Sequence, residues 1–255
     1  MMISYNKAYN PIGFLSGSVL KILACIFMAF DHVGVVFFPH ESFFRAIGRL
    51  AFPLFAYFIA EGCRYTKNKL RRFLTVFIIG ALYTVFYYFY DGEIYLNIFI
   101  TFSISIAAIY LLQLIKKLIF NERKTMLAIA AAIGLFLLLA ATTYLSSVVY
   151  LEYGFRGVIL ALLISLFDFR NVNAPGWLLR LDNHFTSLVF MTVGLLLLCI
   201  NANQGALQFY SLISVALLTF YNGTVGSKKL KYAFYIFYPA HLVLIEGISL
   251  LISIV

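Results

Sequence analysis

Charge is scarce in this 255-residue sequence, and negative charge is the scarcest: ten Asp and Glu stand against nineteen Lys and Arg. Charged residues make up 11%, apolar residues 63%, and the mean hydropathy is +0.96. A soluble domain of this length cannot cover so much apolar surface, which excludes that class. Cysteine is limited to Cys25, Cys63 and Cys199, at unrelated spacings in or beside apolar runs. That pattern suggests neither a disulfide framework nor a zinc site, and reads as small buried apolar residues. Tryptophan occurs once, as Trp177, and proline five times. There is no low-complexity tail, internal repeat or soluble insertion, so residues 1–255 read as a single integral membrane domain. HExxH, a Walker loop, a dinucleotide-binding glycine run and GxSxG are all missing, which removes most hydrolase, ATPase and dehydrogenase readings. No metal is expected.

What is present is a series of apolar runs about twenty residues long, the length that crosses a bilayer as a helix. The alternating pattern of an outer-membrane barrel is not seen. Helices are predicted near 17–38, 43–61, 70–90, 96–116, 125–148, 155–169, 185–200, 206–222 and 231–254. The sixth and seventh are short. The first run is long and lacks a small-residue cleavage site, so it reads as a retained helix. The fold class expected is all-α, a polytopic membrane bundle of about nine transmembrane helices.

The positive-inside rule orients it. Lys7 and Lys21 precede or open the first run. Arg64, Lys67, Lys69, Arg71 and Arg72 follow the second, and Lys116, Lys117, Arg123 and Lys124 the fourth. Arg170 and Arg180 follow the sixth, and Lys228, Lys229 and Lys231 the eighth. The intervening loops, Pro39–Ser42, Asp91–Tyr95, Tyr150–Tyr153 and Asn201–Gln204, contain no Lys or Arg. This alternation puts the N-terminus inside and the C-terminus outside, in a cytoplasmic membrane. The net charge of +9 is thereby explained by topology, and nucleic acid is not an expected partner. The polar stretch 170–184, with Trp177, reads as an interfacial loop or a cover over a cytoplasmic entrance.

Three basic residues escape the clusters: Arg45, Arg49 and Arg156. With Asp31, His32 and His241 they are ionisable groups inside or at the far edge of the membrane, where charge is costly and usually functional. Asp31 and His32 lie deep in the first apolar run and cannot be left unpaired there without a cost of several kcal/mol. Side chains of adjacent helical residues point about 100° apart, so Asp31 is free to pair with an Arg of the next helix. Arg45 and Arg49 share one face at i, i+4. They can hold a carboxylate or phosphate, or pair with Asp31. Pro53 predicts a kink around this point. Glu61 and Arg64 are close enough to pair locally. Asn97, Thr101 and Ser105 share a face that either glues helices or lines the same cavity. His241 follows Tyr238 and Pro239, and a neutral imidazole there is suited to accept a proton.

The segments KILACIFMAFDHVGVVFFP (21–39), FRAIGRLAFPLFAYFIAEGCRYTKN (44–68), LNIFITFSISIAAIYLL (96–112), YGFRGVILALLISLF (153–167) and KLKYAFYIFYPAHLVLI (229–245) resemble the TraX family. They occur in the family's order, and the DH pair, GRxAFP and FYPxH carry the match. The stretch 170–205 departs from the pattern. That family is known for N-terminal acetylation of F-pilin and is distantly similar to membrane acyltransferases of cell-surface glycans. The resemblance implies an acetyltransferase that uses cytosolic acetyl-CoA and an amine or hydroxyl acceptor, whether peptide, lipid or glycan, at the cell surface. It nominates Asp31, His32 and His241 as catalytic. Arg45, Arg49, Glu61, Asn97, Arg156 and Tyr238 become candidates for binding substrate or acyl-CoA. Either histidine can be the general base, the arginines can stabilise an oxyanion or hold an acidic acceptor, and direct transfer and an acetyl-histidine are both compatible. A transporter or flippase, or a non-catalytic membrane assembly factor, is the competing reading.

Reporter fusions active only outside the membrane should signal at Gly92 and Glu152 and stay silent at Arg123 and Asn173. A signal at Arg123 would refute the orientation.

Overall fold

The structure, a computed structural model, describes residues 13–200, 205–227 and 230–254. Lys7, Lys228, Lys229 and the 201–204 loop lie outside the described residues. Among the described residues the secondary structure is helical apart from two strands of two residues each. Among the described residues, six helical stretches are long and apolar enough to cross a membrane: Gly17–Phe37, Ser42–Tyr65, Lys69–Asp91, Ile98–Glu122, Thr125–Val148 and Ala233–Ile252. Gly154–Ile164, His184–Cys199 and Gly205–Thr219 are apolar but shorter. The positions expected from the apolar runs therefore coincide with helices, with six of full spanning length. Contacts divide the chain into two compact units, one built from residues 56–194 and the other from 13–55 together with 195–255.

In the first unit the central element is α5 (Ile98–Lys117), which packs against α4 (Lys69–Asp91), α6 (Thr125–Val148) and α7 (Gly154–Ile164). Half of the α5 span is buried inside the protein, against 11% for α4 and for α6, whose apolar side chains face outward as lipid-exposed helices require. The start of α5 is closely specified. Asn97 is its N-cap: Oδ1 accepts from the Phe99 N–H, while Nδ2 donates to the Gly80 carbonyl at 2.8 Å and to Thr84 Oγ1 at 3.0 Å. A side chain at Gly80 would press on Phe99 and Ile100, so glycine sets the close approach of α4 and α5. Strand β1 (Tyr95–Leu96) pairs in parallel with β2 (Tyr150–Leu151) just before the helix. Glu152 then accepts from the Ile98 N–H and the Tyr95 hydroxyl, both at 2.9 Å. Carboxylate at a helix N-terminus is favoured by the unpaired N–H groups and the macrodipole.

The other end of α5 is tied down by buried ions. Arg64, on α3 (Ala51–Tyr65), donates to Asp168 at 2.6 Å and to Asp182 at 2.7 and 3.0 Å. Lys116 donates to the carbonyls of Ser165 and Asp168, and Gln113 bridges the Cys63 carbonyl and Asp168. Asp182, at the end of the short α8 (Gly176–Leu181), also accepts from the Phe169 N–H. Arg64, Lys116, Asp168 and Asp182 are each at most 8% exposed, and their two positive and two negative charges cancel. Arg64, read from sequence as close enough to Glu61 to pair locally, makes this longer-range contact, in which a bidentate carboxylate satisfies both of its terminal nitrogens. Arg72 reaches the Ile59 carbonyl at 3.2 Å, across Gly62. Three basic residues read from sequence as orienting charges thus also hold the packing.

In the second unit, α1 (Gly17–Phe37) packs against α2 (Ser42–Gly48) and α11 (Lys231–Ile254). Ser16 caps α1, and Ser18 donates to the Val225 carbonyl. The segment before α1 bonds to Phe220 and pairs at Leu15 with Tyr221, at the end of α10 (Ile213–Thr219). A 3-10 helix, Gly205–Leu212, leads into α10 and meets α2. The remaining helix, α9 (His184–Cys199), begins in the first unit and ends in the second.

The disturbance expected around Pro53 falls in the turn before that residue. The helix predicted at 43–61 is broken at Arg49–Leu50 into α2 and α3. Proline at 53 has no N–H for the carbonyl four residues before it, that of Arg49, and its ring crowds that carbonyl.

Replacing Arg64 by Met should lower unfolding stability in detergent by about 3–5 kcal/mol, because two buried carboxylates lose their counter-charge. Chemical denaturation followed by tryptophan fluorescence measures this, and an unchanged midpoint would contradict it.

Candidate functional site

The second unit collects six of the nominated residues: Asp31 and His32 from α1, Arg45 and Arg49 from α2 and its end, and Tyr238 and His241 from α11. Two glycines make the α1–α2 contact possible. A Cβ at Gly34 would run into Phe44, and one at Gly48 would run into Asp31. Small residues at such a crossing let helix backbones approach closely. Phe44 then stacks on Phe38 with ring centroids 4.9 Å apart.

With the helices this close, Asp31 reaches both arginines. Its Oδ2 lies 2.9 Å from Arg45 Nη1, and its Oδ1 3.5 Å from Arg49 Nη2. The Asp31 side chain is 20% exposed, Arg45 25% and Arg49 only 5%. The expected pairing of Asp31 with an Arg of the next segment is therefore observed, with both arginines engaged. Arg45, at the outer edge of the apolar run, turns to the carboxylate.

The two histidines meet from opposite ends of the sequence. His32 and His241 have ring centroids 5.0 Å apart in an edge-on arrangement. His241 is 6% exposed. It is stacked on Phe237 at 4.9 Å and 8°, with Tyr238 edge-on at 5.8 Å. Its Nδ1 lies 2.8 Å from the Phe237 carbonyl. That oxygen only accepts, so Nδ1 carries the proton and, in the neutral ring, Nε2 carries the lone pair. Nε2 is buried and has no hydrogen-bond partner among the described residues. Arg45 and Arg49 are within electrostatic reach of His32. The arrangement can accept a proton at a fixed nitrogen beside a cationic patch.

Glu61, Asn97 and Arg156 belong to the other unit. Asn97 is fully buried, with its amide engaged in capping α5, so its visible work there is structural. Arg156 lies in the first turn of α7, and Glu61 on α3. Thr101 and Ser105 spend their hydroxyls on the carbonyls of Glu152 and Thr101. Sequence reading overlooked Asp168, Asp182 and His184. His184 Nδ1 lies 2.9 Å from the Tyr57 hydroxyl, and both side chains are buried. The signal available was that two of only ten acids lie just before and within the polar stretch 170–184. Among the described residues, no three His, Cys, Asp or Glu side chains converge as metal ligands would.

A family model described as TraX protein matches residues 16–249. The chain belongs to the TraX family. Its match therefore takes in every residue of the cluster, from Asp31 to His241. Among curated proteins, this TraX-family chain is 25% identical over 252 residues to the probable fimbrial assembly protein FimC, serogroup H1, of Dichelobacter nodosus, covering 89% of the chain and 92% of that protein. It is 30% identical over 102 residues to an uncharacterized protein of Rickettsia prowazekii (strain Madrid E), covering 39% of the chain and 38% of that protein. No solved structure matches.

Gly48→Ala should force Asp31 away from Arg45 and Arg49 and cost about 1–3 kcal/mol as an overpacked contact. Thermal unfolding in detergent is the measurement, and a variant as stable as wild type would show that the contact is slack.

Proposed function

We propose that this protein is a membrane-bound acyltransferase that moves an acetyl group from cytosolic acetyl-CoA to an amine or hydroxyl of an acceptor at the cell surface, a pilin-like N-terminus being the reference case. The observation that supports it best is the convergence of His32 and His241 beside Asp31, Arg45 and Arg49. His241 Nε2 takes the proton from the acceptor N–H or O–H as its nitrogen or oxygen attacks the thioester carbonyl. The carbonyl oxygen gains negative charge and is stabilised by the guanidiniums. The C–S bond then breaks, and the departing thiolate takes the proton back from the imidazolium. The fixed position of Nδ1 on Phe237 leaves Nε2 to this role, and His32 orients the acceptor. Asp31 holds the two arginines in place.

The topology that serves this reaction has nine crossings in the cytoplasmic membrane, N-terminus inside and C-terminus outside, the three shorter apolar helices completing the six of full length. Acetyl-CoA would approach from the cytosolic side. With Arg64 and Arg72 committed to packing, the exposed Lys67 and Arg71 remain to attract its phosphates.

A second reading, a non-catalytic assembly factor, is favoured by the Dichelobacter relative, a probable fimbrial assembly protein. Purified protein supplied with labelled acetyl-CoA and surface peptides separates the two. Transfer should fall by roughly 10²–10⁴-fold in His241→Ala and also in His32→Ala. Label transfer that persists in both variants would rule out the catalytic assignment.

A further inference from the structure

The cluster on α1, α2 and α11 is incomplete as it stands, in a way that describes what it binds. One carboxylate, Asp31, faces two guanidiniums, leaving at least one positive charge uncompensated. The only ion pairs of Arg45 and Arg49 among the described residues are those with Asp31. The nearest other acids on these elements are Glu41, before α2, and Glu246, on α11; both are exposed. Arg49 is the less satisfied of the two. It is 5% exposed, its contact with Asp31 is the longer at 3.5 Å, and its Nε is buried with no acceptor. Arg64 and Arg72 also keep a buried Nε without an acceptor, but Arg64 faces two carboxylates, so what sets Arg49 apart is a spare donor joined to a spare charge, which a bound anion would answer.

We propose that Arg49, supported by Arg45, forms a slot for one anionic oxygen group, a carboxylate or a phosphate, that sits against its Nε edge. This rests on the reading of the cluster as a substrate site and adds to it: the molecule bound there carries a negative charge beside its reacting group. An oxyanion that exists only in the transition state does not answer the charge count, because the uncompensated guanidinium is present in the resting protein. Planar donors in a fixed fork suit carboxylate and phosphate equally, so either chemistry fills the slot.

Two sources can supply such a group, a soluble anion or a lipid headgroup, and one experiment distinguishes them. Full-length protein is placed in nanodiscs of phosphatidylcholine alone, and thermal unfolding is followed while inorganic phosphate or acetate is titrated, with acetamide as the neutral control. A parallel series replaces part of the lipid with phosphatidylglycerol. The variants are Arg49→Gln and Asp31→Asn. Wild type should be stabilised by phosphate or acetate, or by the anionic lipid, and not by acetamide. Arg49→Gln should weaken that response by about tenfold or more. The same variant should unfold no earlier than wild type without anion, since it removes the unmatched charge and leaves Asp31 paired with Arg45. Asp31→Asn should strengthen the response to anion. A response confined to phosphatidylglycerol assigns the slot to a headgroup, and one to soluble anions assigns it to a soluble ligand. If Arg49→Gln unfolds earlier and responds to anions as wild type does, Arg49 is a structural clamp and the proposal is wrong. No acyl donor is present, so the outcome is independent of whether acetyl transfer occurs.

Discussion

Everything in the candidate site depends on how closely α1 crosses α2. Gly34 and Gly48 remove the two side chains that would hold the helices apart, and Asp31 fills the space opened at Gly48. Once there, the carboxylate has two guanidiniums within reach, because the i, i+4 spacing of Arg45 and Arg49 puts both on the facing side. An acid in that position without the arginines would be an unpaired charge in hydrocarbon, and the arginines without the acid would repel each other. The pairing therefore explains why three ionised side chains are tolerated in a stretch of otherwise apolar sequence.

The two units handle buried charge differently. Around Arg64 the charges balance and almost every carboxylate oxygen has a donor, as expected where ions fix packing. Around Asp31 they do not balance, and buried polar atoms of Asp31, Arg49 and His241 lack hydrogen-bond partners among the described residues. Natural structures rarely leave such groups unmatched. Arg64 Nε and Arg72 Nε are buried without a partner as well, so the two clusters differ chiefly in charge balance.

Much of this was legible before the structure. Apolar run length located the helices because the bilayer sets that length. A lone acid inside such a run must find a base, which pointed from Asp31 to Arg45 and Arg49. The remainder depends on distant segments meeting. Nothing local in the sequence pairs Arg64 with Asp168 and Asp182, since the positive-inside rule counts basic residues and passes over acids in the same loops. The His32–His241 contact was legible only as membership of one group of intramembrane residues. That α11 lies against α1 is a property of the packing. Pro53 announced a disturbance, but its position at Arg49–Leu50 follows from which carbonyl the proline ring crowds.

The contact between His32 and His241 also has a temporal side. At about 5–20 residues per second, roughly 200 residues must be made after His32 emerges before His241 exists, a delay of ~10–40 s. The charges of Asp31, Arg45 and Arg49 need not wait for it. They lie within nineteen consecutive residues and can pair as a hairpin, with one positive charge left over, while the chain is still being made. The imidazole of His241 joins them only after that delay. A chain that stalls before α11 would hold the charged half of the cluster without His241.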